Sequence, residues 1–189
     1  MEISQRFAER HSEGRSTLIP YMTCGFPSLE ASVEVLSAIV ESGGDILELG
    51  IPFSDPLADG PTIQAASFRA LQQGVTTATC LEVCQTLRNR GLTIPILFMG
   101  YYNPFLRYGV DAFVREAQDA GLDGVIVADL PTEESGPFKK LCDDAGIYLI
   151  PLLAPTSTDQ RIARACKDAN GFIYCVSLTG VTGARNALA

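Results

Sequence analysis

The chain has 189 residues, 47% hydrophobic and 19% charged, enough for one domain with a substantial core. Its net charge of −8 argues against non-specific binding to nucleic acid or to an anionic membrane. No apolar run reaches the roughly 18 residues of a membrane span, and the polar start MEISQRFAERHSEGR is no signal peptide, so the expected location is the cytoplasm, or the plastid stroma in a plant.

In chain order, a helix comes first, with Ile3 and Phe7 one turn apart. The apolar run STLIPYMTCG (16–25) reads as a strand. SLEASVEVLSAIVESGG then places Val33, Leu36, Ile39 and Val40 on one stripe between Ser28, a candidate N-cap, and a stop at Gly43-Gly44. DILELG (45–50) is the second strand. After it come two helical segments, PTIQAASFRALQQG with Pro61 in its first turn and TATCLEVCQTLRNRG. The latter carries Cys80 and Cys84 at a spacing that suits one helix face better than zinc.

IPILFMGYY (94–102), DGVIVADLP (123–131), IYLIPLLAP (147–155) and GFIYCVSL (171–178) complete a set of six strand-like runs. Between them lie VDAFVREAQDAG, EESGPFKKLCDDAG and STDQRIARACKDANG, each ending on the glycine that a helix C-terminus favours. The apolar runs lack polar alternation, as strands covered on both faces do.

Strand followed by helix, repeated, means βα units and a parallel sheet. A doubly wound open sheet and a (β/α)8 TIM barrel both satisfy that. The longer, more irregular loops follow strand C-termini and the return loops are short, which favours the barrel with its site at one mouth. The expected fold is therefore α/β, a TIM barrel forming a single domain over residues 1–189. Only six of the eight βα units are counted, so the domain is expected to be C-terminally incomplete.

The sole histidine, His11, rules out multi-histidine metal sites and leaves proton transfer to carboxylates, tyrosines or lysines. Within ELGIPFSDPLADGP (48–61), alternation puts Ile46 and Glu48 on one strand face and Leu47 and Leu49 on the other. If the leucines face the helices, Glu48 faces the barrel axis, where desolvation raises a carboxyl pKa toward neutrality. A structural carboxylate tied to backbone N–H groups is the alternative. Asp55 and Asp59 by spacing alone suit turn formation, and Asp59 a helix N-cap.

The combination ELGIPFSDPLADGPTIQ, with TCGFP before it and DLPTEES and SLTGVTGAR after it, resembles the α subunit of tryptophan synthase across the whole chain. That resemblance implies a lyase that cleaves indole-3-glycerol phosphate into indole and glyceraldehyde 3-phosphate. It implies an α2β2 heterotetramer with no cofactor in this chain and pyridoxal phosphate in the β subunit. By position, Glu48 resembles the family's general acid–base residue and Asp59 the carboxylate that holds the indole N–H. Tyr21, Met99, Tyr101 and Tyr174 resemble pocket walls, Asp129 a position beside the pocket, and Thr182 and Gly183 a closing loop that reaches Asp59 and phosphate. Pro52 and Asp55 fall on the surface that faces the β subunit.

The family's phosphate site draws on strands seven and eight, which the six-unit count leaves out. The expectation is thus a family member truncated before its last two barrel units. A fragment that keeps only the partner-facing surface, or another phosphosugar barrel enzyme, are the alternatives.

Overall fold

The computed structural model describes residues 2–177. Five strands, β1 (Tyr21–Thr23), β2 (Leu47–Gly50), β3 (Ile96–Gly100), β4 (Gly124–Val127) and β5 (Tyr148–Ile150), form one parallel sheet in sequential order. Two further strands, β6 (Leu152–Leu153) and β7 (Tyr174–Cys175), pair in parallel beside it. Only Pro151, which has no N–H to give to a ladder, divides β6 from β5. Its carbonyl still accepts the Tyr174 N–H at 2.9 Å, so the sheet curls onward through the proline.

The helices are α1 (Ile3–Ser12), α2 (Leu29–Glu41), α3 (Pro61–Gln72), α4 (Thr77–Asn89), α5 (Tyr102–Tyr108), α6 (Val110–Asp119), α7 (Gly136–Asp144) and α8 (Asp159–Asp168). Ser28 caps α2 as expected, its hydroxyl accepting the Ala31 N–H at 3.2 Å. Thr76 and Thr79 cap α4 reciprocally.

The expected count of six units is overturned. This is a (β/α)8 TIM-barrel fold with, among the described residues, eight helices and seven strands. The helix that periodicity misses is α5, whose sequence YNPFLRY looks like a loop because of its proline. Pro104 lies in the first helical turn, where a missing N–H breaks no intrahelical bond. The extra strand is the one that Pro151 cuts from the fifth apolar run.

Two cores follow from strand alternation. Leu47, Leu49, Ile96, Phe98, Val125 and Val127 face outward, packed against helix residues such as Leu36, Leu87, Phe113 and Phe138. Ile46, Leu97, Ile126 and Ile150 face the axis, with Ile3 of α1 sealing the floor and Met99, Leu152 and Tyr174 packed onto them. At that floor the Arg10 guanidinium meets the Asp45 carboxylate at 2.5 Å, and the other Asp45 oxygen accepts the Leu18 N–H at 2.9 Å. Burial works against ionisation of Asp45, yet these two donors together hold its carboxyl below the usual range.

Candidate active site

Glu48 lies on the axial face of β2, in register between Tyr21 of β1 and Leu97 of β3. It is only 4% exposed. Among the described residues no side chain forms an ion pair with it. Desolvation without a compensating charge pushes its carboxyl up to about 7. The leucines on either side of it are in the outer core, as strand alternation requires of a glutamate that faces the axis.

Gly50 sits on the same face, beyond Glu48 toward the mouth. A Cβ there would come within 2.0 Å of the Tyr21 hydroxyl, so the absence of a side chain lets the Tyr21 ring lie across the strand. That hydroxyl shares a 3.3 Å hydrogen bond with the Thr23 hydroxyl. Burial pushes the Tyr21 phenol up to about 12, and the charges of Asp59 and Glu48 push it the same way. Tyr21 therefore senses both carboxylates from one place. Sequence pattern singles out neither Gly50 nor Thr23; the one available signal is a glycine at the C-terminal end of an apolar strand.

Asp59 is half-buried in the loop between β2 and α3. It does not cap α3, because Gly60 holds the N-cap position and Pro61 follows it. Its carbonyl instead accepts the Gln64 side-chain amide at 2.7 Å. Burial raises the Asp59 carboxyl, and the influence of the Tyr101 hydroxyl opposes that rise. Tyr101, at the end of β3, is 4% exposed and its hydroxyl also accepts the Ala58 N–H at 3.0 Å. Burial likewise pushes the Tyr101 phenol up to about 12.

Met99 and Tyr174 border the same axial space. The Tyr174 phenol is raised by burial and by the Glu48 charge. Met99, Tyr101 and Asp59 lie at or just past the C-terminal ends of β3 and β2, where barrel sites form, and the Glu48 charge reaches both Tyr21 and Tyr174. Asp129 is exposed and turned away to α5, where its carboxylate accepts the N–H of Tyr102, the first residue of that helix, at 2.7 Å.

Pro52 and Asp55 line a separate groove of about 530 Å³, with Phe53, Asn103, Arg107 and Tyr108 among its other walls. Pro52 is buried against that wall, while Asp55 is exposed and accepts the Ser54 hydroxyl. Thr182 and Gly183 lie outside the described residues. Among the described residues, no group of three or more histidines, cysteines, aspartates or glutamates could hold a metal ion. Cys80 and Cys84 are both buried on α4, as their spacing implied, whereas Cys166 and Cys175 are exposed.

The family model for the tryptophan synthase alpha chain matches residues 7–189. The tryptophan synthase alpha chain of Roseiflexus sp. (strain RS-1) is 50% identical over 186 residues, covering 98% of this chain and 71% of that one. That of Burkholderia ambifaria (strain MC40-6) is 52% identical over 184 residues, covering 97% and 68%. Among solved structures, Mycobacterium tuberculosis tryptophan synthase is similar with a TM-score of 0.91 at 40% identity, covering 97% of this chain and 71% of that one. The expectation of a member with only six units is corrected in its count: the family match spans residues 7–189, and eight helices lie among the described residues.

Proposed function

This chain belongs to the tryptophan synthase alpha chain family, and from that premise we propose which of its residues perform the family's reaction. The activity is that of a lyase, cleaving indole-3-glycerol phosphate to indole and glyceraldehyde 3-phosphate in tryptophan biosynthesis. The chain acts as the α subunit beside a β partner in an α2β2 assembly.

Cleavage needs a proton delivered to the indole ring carbon that bears the glycerol chain, and a proton removed from the glycerol hydroxyl as the aldehyde forms. Glu48 is the group we assign to both transfers. The observation that carries this assignment is a buried, axis-facing carboxyl held near 7, which is close to half-protonated at neutral pH and can donate and then accept. Asp59 serves beside the ring nitrogen, where positive charge develops as the ring carbon is protonated. The influence of the Tyr101 hydroxyl opposes the effect of burial and favours the charged form that this role requires.

Two carboxylates in unlike surroundings thereby divide the acid–base and the electrostatic work. Tyr21, Tyr101, Met99 and Tyr174 supply flat or apolar walls suited to an indole ring. None of these steps calls on a cofactor; the pyridoxal phosphate chemistry belongs to the β partner. Pro52 and Asp55 belong to the partner-facing groove. No helix among the described residues is long and apolar enough to cross a membrane, and we place the chain in the cytoplasm.

Glu48→Gln keeps the shape of the side chain and removes its proton exchange. Indole release, assayed with the β partner present, should fall by roughly 10²–10⁴-fold with the circular dichroism spectrum unchanged. Turnover close to that of the parent chain would overturn the assignment.

A further inference from the structure

We propose that the Tyr21 hydroxyl is a further substrate contact of this site, one that hydrogen-bonds a glycerol hydroxyl, and that the Thr23 hydroxyl positions it. The inference deepens the reading above and rests on its assignment of Glu48.

Parallel pairing sets the axial residues of β1 to β5 in two rows. The row nearer the floor runs Tyr21, Glu48, Leu97, Gly124 and Tyr148, and the row nearer the mouth runs Thr23, Gly50, Met99, Ile126 and Ile150. From β3 onward the mouth row is apolar, with Met99, Ile126 and Ile150 all part of the axial core. Its one hydroxyl, that of Thr23, stands at the β1 end.

Gly50 leaves a gap in the mouth row, and Tyr21 crosses from the floor row to fill it. A Cβ at Gly50 would lie 2.0 Å from the Tyr21 hydroxyl, 2.5 Å from its Cζ and 2.8 Å from its Cε2. The hydroxyl is therefore set over Gly50, two residues or about 7 Å of strand nearer the mouth than the Glu48 backbone. A hydroxylated three-carbon chain can meet both the carboxyl and the phenol from there.

Two hydroxyls that share one hydrogen bond spend one of their two protons on it. Tyr21 and Thr23 meet at 3.3 Å, and Thr23 is 3% exposed. Whichever of them donates, the pair keeps a second proton and lone pairs for a third oxygen. Burial holds the phenol proton in place far above neutral pH, so the group stays a donor wherever the enzyme works. On the Met99, Ile126 and Ile150 side a glycerol chain would lose its hydration with nothing in return, whereas a flat ring is at home there. The β1 and β2 side takes the glycerol chain.

Tyr21→Phe keeps the ring and deletes the hydroxyl. With the β partner present, its kcat/KM for indole release should fall about three- to tenfold, the range of one hydrogen bond. Binding of indolepropanol phosphate, which has the ring and the phosphate but no glycerol hydroxyl, should change less than about twofold. Thr23→Val should lower kcat/KM about two- to threefold in the parent and not at all in Tyr21→Phe, because it acts through the phenol.

Equal weakening of the substrate and of indolepropanol phosphate would make Tyr21 a wall alone and overturn the inference. A Tyr21→Phe kcat/KM equal to the parent's would overturn it too, and additive losses would end the positioning role of Thr23. Undiminished turnover by Glu48→Gln, with the discrimination by Tyr21→Phe kept, would instead remove the role of Glu48 and leave the phenol contact standing.

Discussion

A carboxyl held at about 7 in the folded chain, against an ordinary 4.5, binds its proton more tightly folded than unfolded. Below about pH 4.5 Glu48 is neutral in both states and has no effect on stability. The penalty grows between that pH and 7, and is complete above it, at roughly 3 kcal/mol. We therefore expect Glu48→Gln to be more stable than the parent by about 1–3 kcal/mol at pH 8, with the gap closing at pH 5. Urea midpoints at the two pH values measure this, and a gap that does not depend on pH would refute it. The inward turn of Glu48 is legible in DILELG because strand alternation is a local rule and the leucines have only one side to take. The bond between Ala58 and Tyr101 is not. Ala58 and Tyr101 stand 43 positions apart, and periodicity says which face a residue occupies but not which loop folds down onto it.

At the scale of elements, the loop between β2 and α3 joins two surfaces, since we assign Asp59 to the axial site while Pro52 and Asp55 line the groove. Pro52→Leu keeps apolar bulk at a buried position, so its cost in stability should stay near about 1 kcal/mol. The stiffness of the loop would be lost, and the stimulation of indole release by the β partner should fall about fivefold or more. The ratio of rates with and without partner measures this, and an unchanged ratio would exclude the loop as the coupling element. Helix α5 shows why some elements escape a reading by pattern. Seven residues give too few turns for an apolar stripe, and its N-terminus is satisfied by Asp129 from a distant strand end rather than by a neighbouring cap. The longer helix α2 carries both stripe and cap in sequence, and both are plain from it.

Across the whole molecule, the barrel class is legible because βα alternation repeats, while the number of its parts is not. A proline that interrupts a strand and a proline that begins a helix look alike in one dimension, and Pro151 and Pro104 both mislead for that reason. The floor and the mouth of the barrel hold different kinds of residue. At the floor, Ile3 is fully buried with Ile46, Leu97, Ile126 and Ile150, and the Arg10–Asp45 pair braces α1 against the start of β2. Ile3→Ala should cost about 2–5 kcal/mol by thermal or urea unfolding. The kcat of the folded fraction should stay within about twofold, because Ile3 belongs to the axial cluster beneath Met99 and Tyr174 and carries none of the proposed proton transfers. A kcat lost in proportion to stability would show the two ends to be coupled. From Asp45 to Glu48 is only about 10 Å of strand, yet that short span divides durability from reactivity. A lineage moving to hotter surroundings could reinforce the closed end, one substitution after another, and leave its chemistry as it was.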